Sequence, residues 1–138
     1  MPRDGYELYD PRSVDRAQSF RKPINDCPIR AMAKLSGRDY WTLHRLYHEY
    51  SGRNPDTGSD TYTWIAFCRE LFGWKWVGVV PQSRKGIDFP SRCIVRIAPK
   101  RGMGHVYAFI DGVRHDCHNC HPRWKCTGYM VPVESVSN

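Results

Sequence analysis

The chain predicts an α+β domain, with helices first and an antiparallel sheet after them. Two observations carry this. Apolar residues recur at helical spacing from Cys27 to Phe72, and after Gly73 the texture changes to short aromatic and β-branched runs divided by breakers. A third observation fixes one pairing within the sheet. Asp111-Gly112 lies between His105–Ile110 and Val113–Cys117, and Asp-Gly between two such runs marks a tight hairpin.

Residues 1–24 are polar and punctuated by Pro2, Pro11 and Pro23, and read as an extended N-terminal arm. Residues 25–138 read as one domain. Pro28 suits the first helical position, which makes Cys27 the expected N-cap. Ile29, Met32, Ala33 and Leu35 form the apolar stripe, and Gly37 ends that helix. The second helix is expected from an Asp39 cap, with Tyr40, Leu43, Tyr47 and Tyr50 in its stripe and a stop at Ser51-Gly52. Residues 53–60 form a loop by composition. A third helix follows from Asp60 or Thr61, with Trp64, Phe67, Cys68, Leu71 and Phe72 facing inward and Gly73 closing it. Strands are expected at 74–80, 93–98, 105–110, 113–117 and 124–133, with a breaker-rich loop over 82–90.

Composition narrows the class of function. The 138 residues are 41% hydrophobic, 25% charged and 13% aromatic, the mix of a folded globular domain. Apolar runs are only a few residues long, so neither a membrane span nor a signal peptide is expected. A reducing, cytoplasmic setting follows, with the six cysteines as thiols or metal ligands. The net charge of +7 is spread evenly: residues 1–53 hold 10 basic and 7 acidic side chains, and the remainder 11 and 7. Unclustered charge is weak support for a nucleic-acid partner and equally compatible with an acidic protein. No Gly-rich phosphate loop follows a strand, so no cofactor is expected.

Cys27 is the first candidate for chemistry. A thiol at a helix N-terminus meets the positive end of the helix dipole and unpaired N–H groups, which favour the thiolate. The same N–H groups suit an oxyanion. His105 is the second candidate, opening a strand after Gly102, Met103 and Gly104. Asp116 is the third, by register. With Asp111-Gly112 as the turn, Ile110 faces Val113, Ala108 faces His115 and Tyr107 faces Asp116. His105 and Asp116 then share a face as diagonal neighbours, within hydrogen-bonding reach. Asp111 has the right parity but lies about 20 Å along the strand.

These residues resemble small papain-like cysteine-peptidase proteins, many of them encoded by tailed bacteriophages, and the related peptidase domains that trim leader peptides. The likeness rests on Asn25-Asp26-Cys27, on Arg30-Ala31 and Ala33 in the following helix, on Gly104-His105, and on Asp111-Gly112 with Asp116. It implies a papain-like fold and a thiol peptidase or amidohydrolase acting on a host or phage protein. Cys27 would be the nucleophile, His105 the proton shuttle and Asp116 its orienting carboxylate, with Asn25 assisting at the oxyanion. One position departs from the pattern. The Gln expected about six residues before the nucleophile is Arg21 here, and the nearest Gln is Gln18.

Two other readings compete. His115, Cys117, His118, Cys120, His121 and Cys126 crowd one stretch, as in a zinc knuckle that binds nucleic acid. A peptidase-like fold could also bind and disable a host factor without catalysis. Among the remaining residues, His44 and His48 are expected on a solvated helix face. Arg92 and Arg96 are expected on one solvent-facing side of their strand. Cys68 and Cys93 are expected in the core, and Trp74-Lys75-Trp76 in a core strand rather than a base-stacking surface.

Overall fold

A computed structural model of the chain describes residues 6–8, 27–52, 61–101, 104–116 and 123–133. Three helices, α1 (Cys27–Ser36), α2 (Tyr40–Ser51) and α3 (Thr61–Phe72), precede most of the sheet. Its strands are β1 (Tyr6–Leu8), β2 (Lys75–Gln82), β3 (Arg92–Ala98), β4 (His105–Ile110), β5 (Val113–Asp116) and β6 (Lys125–Val131). The six strands pair in the order β1-β5-β4-β3-β6-β2. All pairs are antiparallel except β1 with β5, which is parallel. The expected N-terminal arm therefore contributes an edge strand to the domain.

Local chemistry accounts for the helix ends. Asp39 caps α2, its carboxylate accepting from the Thr42 N–H at 2.9 Å. Gly37, Gly52 and Gly73 each follow a helix with φ between 68° and 75°, the left-handed conformation that closes it. Helix α1 begins at Cys27 itself, one residue earlier than the Cys27 cap implies. Across the helical layer, the Tyr50 hydroxyl of α2 donates to Glu70 of α3.

The sheet has two apolar faces, and strand alternation decides which residue meets which cover. On one face Ile94, Val106, Ala108 and Met130 pack under the helices with Ile29, Met32, Leu35, Leu43, Tyr47 and Trp64. On the other, Cys93, Val95, Ile97, Tyr107 and Cys126 form a second cluster, with Ile87 and Phe89 from the segment between β2 and β3 packed against it. Cys68 and Cys93 are fully buried, as expected of core thiols. Trp74 is buried and stacks on Phe72, with ring centroids 4.1 Å apart. Trp76 lies over Gly128, where a Cβ would fall 2.3 Å from its ring.

Two expectations need correction. Arg92 and Arg96 do share one side of β3, and Arg92 is exposed as expected, but that side faces the helices and Arg96 is half-buried. The Arg92 guanidinium donates to the Leu35 carbonyl in the last turn of α1, a cation placed at the negative end of a helix. His44 and His48 do not form a solvated face. Both are half-buried, with ring centroids 4.3 Å apart, and Trp41 and Tyr47 pack against them. The i, i+4 spacing read as polar is an aromatic ladder along α2.

The β4–β5 hairpin follows the expected register, with Ile110 opposite Val113 and Ala108 opposite His115. Asp111 and Gly112 take φ of 50° and 81°, the two positive values that a type I′ turn requires. Nothing lies within 4 Å of a Cβ placed on Gly112. A Gly112→Ala substitution therefore tests backbone conformation alone. It is expected to lower unfolding free energy by about 1–2 kcal/mol in urea titration.

Candidate functional site

The hairpin register delivers the closest contact in the site. His105 Nε2 lies 2.8 Å and 3.0 Å from the two carboxylate oxygens of Asp116. Arg114 binds the same carboxylate through Nε at 3.2 Å and Nη2 at 2.9 Å. All three side chains are nearly buried, Asp116 most of all at 3% exposure. The Arg114 guanidinium also sits 4.6 Å from the centre of the Tyr107 ring. The Tyr107 hydroxyl accepts from Arg84 Nη1 at 3.3 Å.

Burial is the largest influence on Asp116 and would raise its pKa. The hydrogen bonds and positive charge of His105 and Arg114 overcome it and hold the pKa below the ordinary 3.8. The carboxylate is therefore ionised near neutral pH and only accepts. Nε2 of His105 must then donate, and whenever the ring is uncharged Nδ1 is its basic nitrogen. That is the state a proton-abstracting imidazole requires.

Cys27 is placed by α1, which lies on the helix-covered face of β4. It borders a small pocket together with Arg30 and Ala31 of α1, Val106 and Tyr107 of β4, and His115 and Asp116 of β5. Alternation turns Val106, Ala108 and His115 toward α1. It sets His105, Tyr107, Arg114 and Asp116 on the other side of the sheet. The pocket draws on both sets, Val106 and His115 from one and Tyr107 and Asp116 from the other. Cys27 and Asp116 thus line one pocket, and His105, which does not line it, is bonded to Asp116.

The other cysteines differ in kind from Cys27. Cys27 is half-buried, whereas Cys68, Cys93 and Cys126 are fully buried. Burial raises the pKa of all three, Cys93 to about 12. Cys126 belongs to the apolar cluster behind the sheet, with its Sγ 3.5 Å from the Gly128 carbonyl oxygen. Among the described residues no group of three metal-ligating side chains comes together. Asn25, Cys117, His118, Cys120 and His121 lie outside the described residues.

One residue that borders the pocket escaped the sequence reading. His115 appeared only as a member of the Cys/His-rich stretch, yet the hairpin parity that selected Asp116 also turns His115 toward α1. No family model, curated protein or solved structure matches this chain.

The Asp116 arrangement has a signed pH dependence. Its folded pKa is depressed, so its contribution to stability is present above 3.8 and is lost as pH falls from there through the lower folded value. Arg114→Gln removes one of the two supports. The Asp116 titration midpoint, followed by carboxyl carbon NMR, is expected to rise in that variant. Acid unfolding should begin at a higher pH than in the wild type. An unchanged midpoint would show that His105 alone holds the carboxylate.

Proposed function

We propose that the protein is a cysteine-dependent acyl-transfer enzyme, a papain-like peptidase or amidohydrolase, with Cys27 as nucleophile, His105 as general base and Asp116 as the residue that orients His105. The observation that carries this reading is the buried His105–Asp116 pair, joined through Asp116 to the cleft that Cys27 lines. An α+β domain with three helices before most of its sheet, and a cysteine opening the first of them, is consistent with it. The resemblance to small phage-encoded peptidase-like proteins suggests a host or phage protein as substrate, met in the bacterial cytoplasm. No described helix is long and apolar enough to cross a membrane.

The chemistry runs in two halves. His105 Nδ1 takes the Cys27 proton, and the thiolate sulfur forms a bond to the substrate carbonyl carbon. The carbonyl π pair moves to oxygen, where the N–H groups at the start of α1 meet the developing charge. Collapse of this intermediate breaks the carbon–nitrogen bond, and the imidazolium returns its proton to the departing amine. Water then attacks the thioester, His105 accepts its proton, and the thiol is regenerated as the acid leaves. Asp116 stays ionised throughout and stabilises the imidazolium formed in each half.

One observation favours a second assignment of the base. His115, rather than His105, borders the cleft with Cys27. Hydrolysis of a library of internally quenched peptides separates the two. Cys27→Ala is expected to abolish turnover. His105→Ala should lower kcat/KM by about 10²–10⁴, the usual range for a lost general base, with His115→Ala retaining most activity. Reversal of the two histidine results would move the base to His115. Turnover that survives in Cys27→Ala would overturn the thiol mechanism altogether.

A further inference from the structure

Arg96 lies on β3 directly opposite Val106 of β4, and Val106 borders the Cys27 cleft. Paired residues on one face of a sheet stand about 5 Å apart at Cβ, so the Arg96 side chain rises beside the entrance to α1. Its guanidinium is held there from two sides. Nη1 donates to Thr127 Oγ1 of β6 at 2.7 Å. Nη2 and Cζ rest on Gly104, where any Cβ would fall 2.8 Å and 2.9 Å from them. Gly104 also approaches the Ile97 carbonyl oxygen, at 2.9 Å from the same Cβ position, so the space cannot be filled cheaply. The residue after Gly104 is His105, so the anchored guanidinium sits at the start of β4, on the face opposite the His105 side chain.

We propose that Arg96 is the fixed positive charge of the Cys27 site: it stabilises the Cys27 thiolate and favours acyl donors that carry a carboxylate close to the attacked carbonyl. This rests on the reading of Cys27 as nucleophile and adds a substrate class to it. A half-buried guanidinium is poorly screened by solvent, so its attraction for a nearby anion exceeds that of a surface arginine. Burial is the main influence on Arg96 and lowers its pKa, and the charges of Cys27 and Tyr62 act against that lowering. The geometry agrees: Val106, the strand partner of Arg96, borders the same pocket as Cys27.

Other charged and titratable groups face Cys27, and the test must separate them: Arg30 on α1, Tyr107 on β4, and His115 and Asp116 on β5. Alkylation of Cys27 is read per residue by mass spectrometry, with iodoacetate and iodoacetamide as an anionic and a neutral probe of similar size. In the wild type the iodoacetate to iodoacetamide rate ratio at Cys27 is expected to exceed that of free cysteine about tenfold. Arg96→Gln should remove most of this excess, Arg96→Lys should keep part of it, and Arg30→Gln should leave most of it. Thr127→Val keeps the charge and removes its anchor, so it should lower the ratio partially and stands in if Arg96→Gln fails to fold. A wild-type ratio equal to that of free cysteine would overturn the inference, as would an excess carried by Arg30. Failure of the nucleophile reading is distinct: His105→Ala would leave the pH profile of the neutral probe unchanged, whatever the ratio between probes.

Discussion

The two-residue turn at Asp111-Gly112 is the constraint on which the site depends. It demands positive φ at both positions, and Asp-Gly satisfies that demand locally. With the turn fixed, no freedom is left in the pairing of β4 with β5. Ala108 must face His115, and His105 must lie diagonally across from Asp116. A slip of one residue would exchange the faces of every side chain on one strand. It would bury His115 where Asp116 now receives Arg114, and turn the carboxylate toward α1. The His105–Asp116 contact and the pairing of the sheet are therefore selected together by one short turn.

That register puts different demands on the two faces of the sheet. The helix-covered face needs small or apolar residues under α1, and Val106 and Ala108 supply them. The other face accepts a buried charge cluster because every member has a partner of the right kind. Asp116 receives His105 and Arg114, and Tyr107 lies between Arg114 and Arg84. A carboxylate this deeply buried without those donors would be costly, and removing one partner would leave the others uncompensated. The cluster thus serves stability and orients an imidazole at the same time. The thiols divide in a parallel way: Cys68, Cys93 and Cys126 are inert through burial, while Cys27 stands half-exposed at a helix start.

Most of the element order was legible in the sequence because its punctuation is local. Gly37, Gly52 and Gly73 end the helices where the apolar stripes end, and Asp39 is a cap recognisable from its position alone. The contact between His105 and Asp116 was legible for the same reason, since the hairpin is local and its turn type sets its register. Long-range placements were not. Nothing near Tyr6–Leu8 announces a parallel strand beside β5, and nothing near Arg96 says that helices cover its side of β3. His44 and His48 show the same limit, because their partners are aromatic neighbours on α2 rather than a surface the sequence can display. The residues that pack across elements, Arg96 and His115 among them, acquire their meaning only once α1 is laid over β4.

The central claim is that Cys27 and His105 act as a pair, and the most direct measurement is the pH dependence of iodoacetamide labelling at each cysteine in the wild type and in His105→Ala. The account predicts that Cys27 labels fastest among the described cysteines, with a midpoint well below the ~8.5 of a free thiol, and that this advantage is lost in the variant. Cys68, Cys93 and Cys126 should remain nearly unreactive in both proteins, because burial protects them and raises their pKa values. A Cys27 with an ordinary midpoint, or one indifferent to the loss of His105, would contradict the pairing and with it the thiol mechanism.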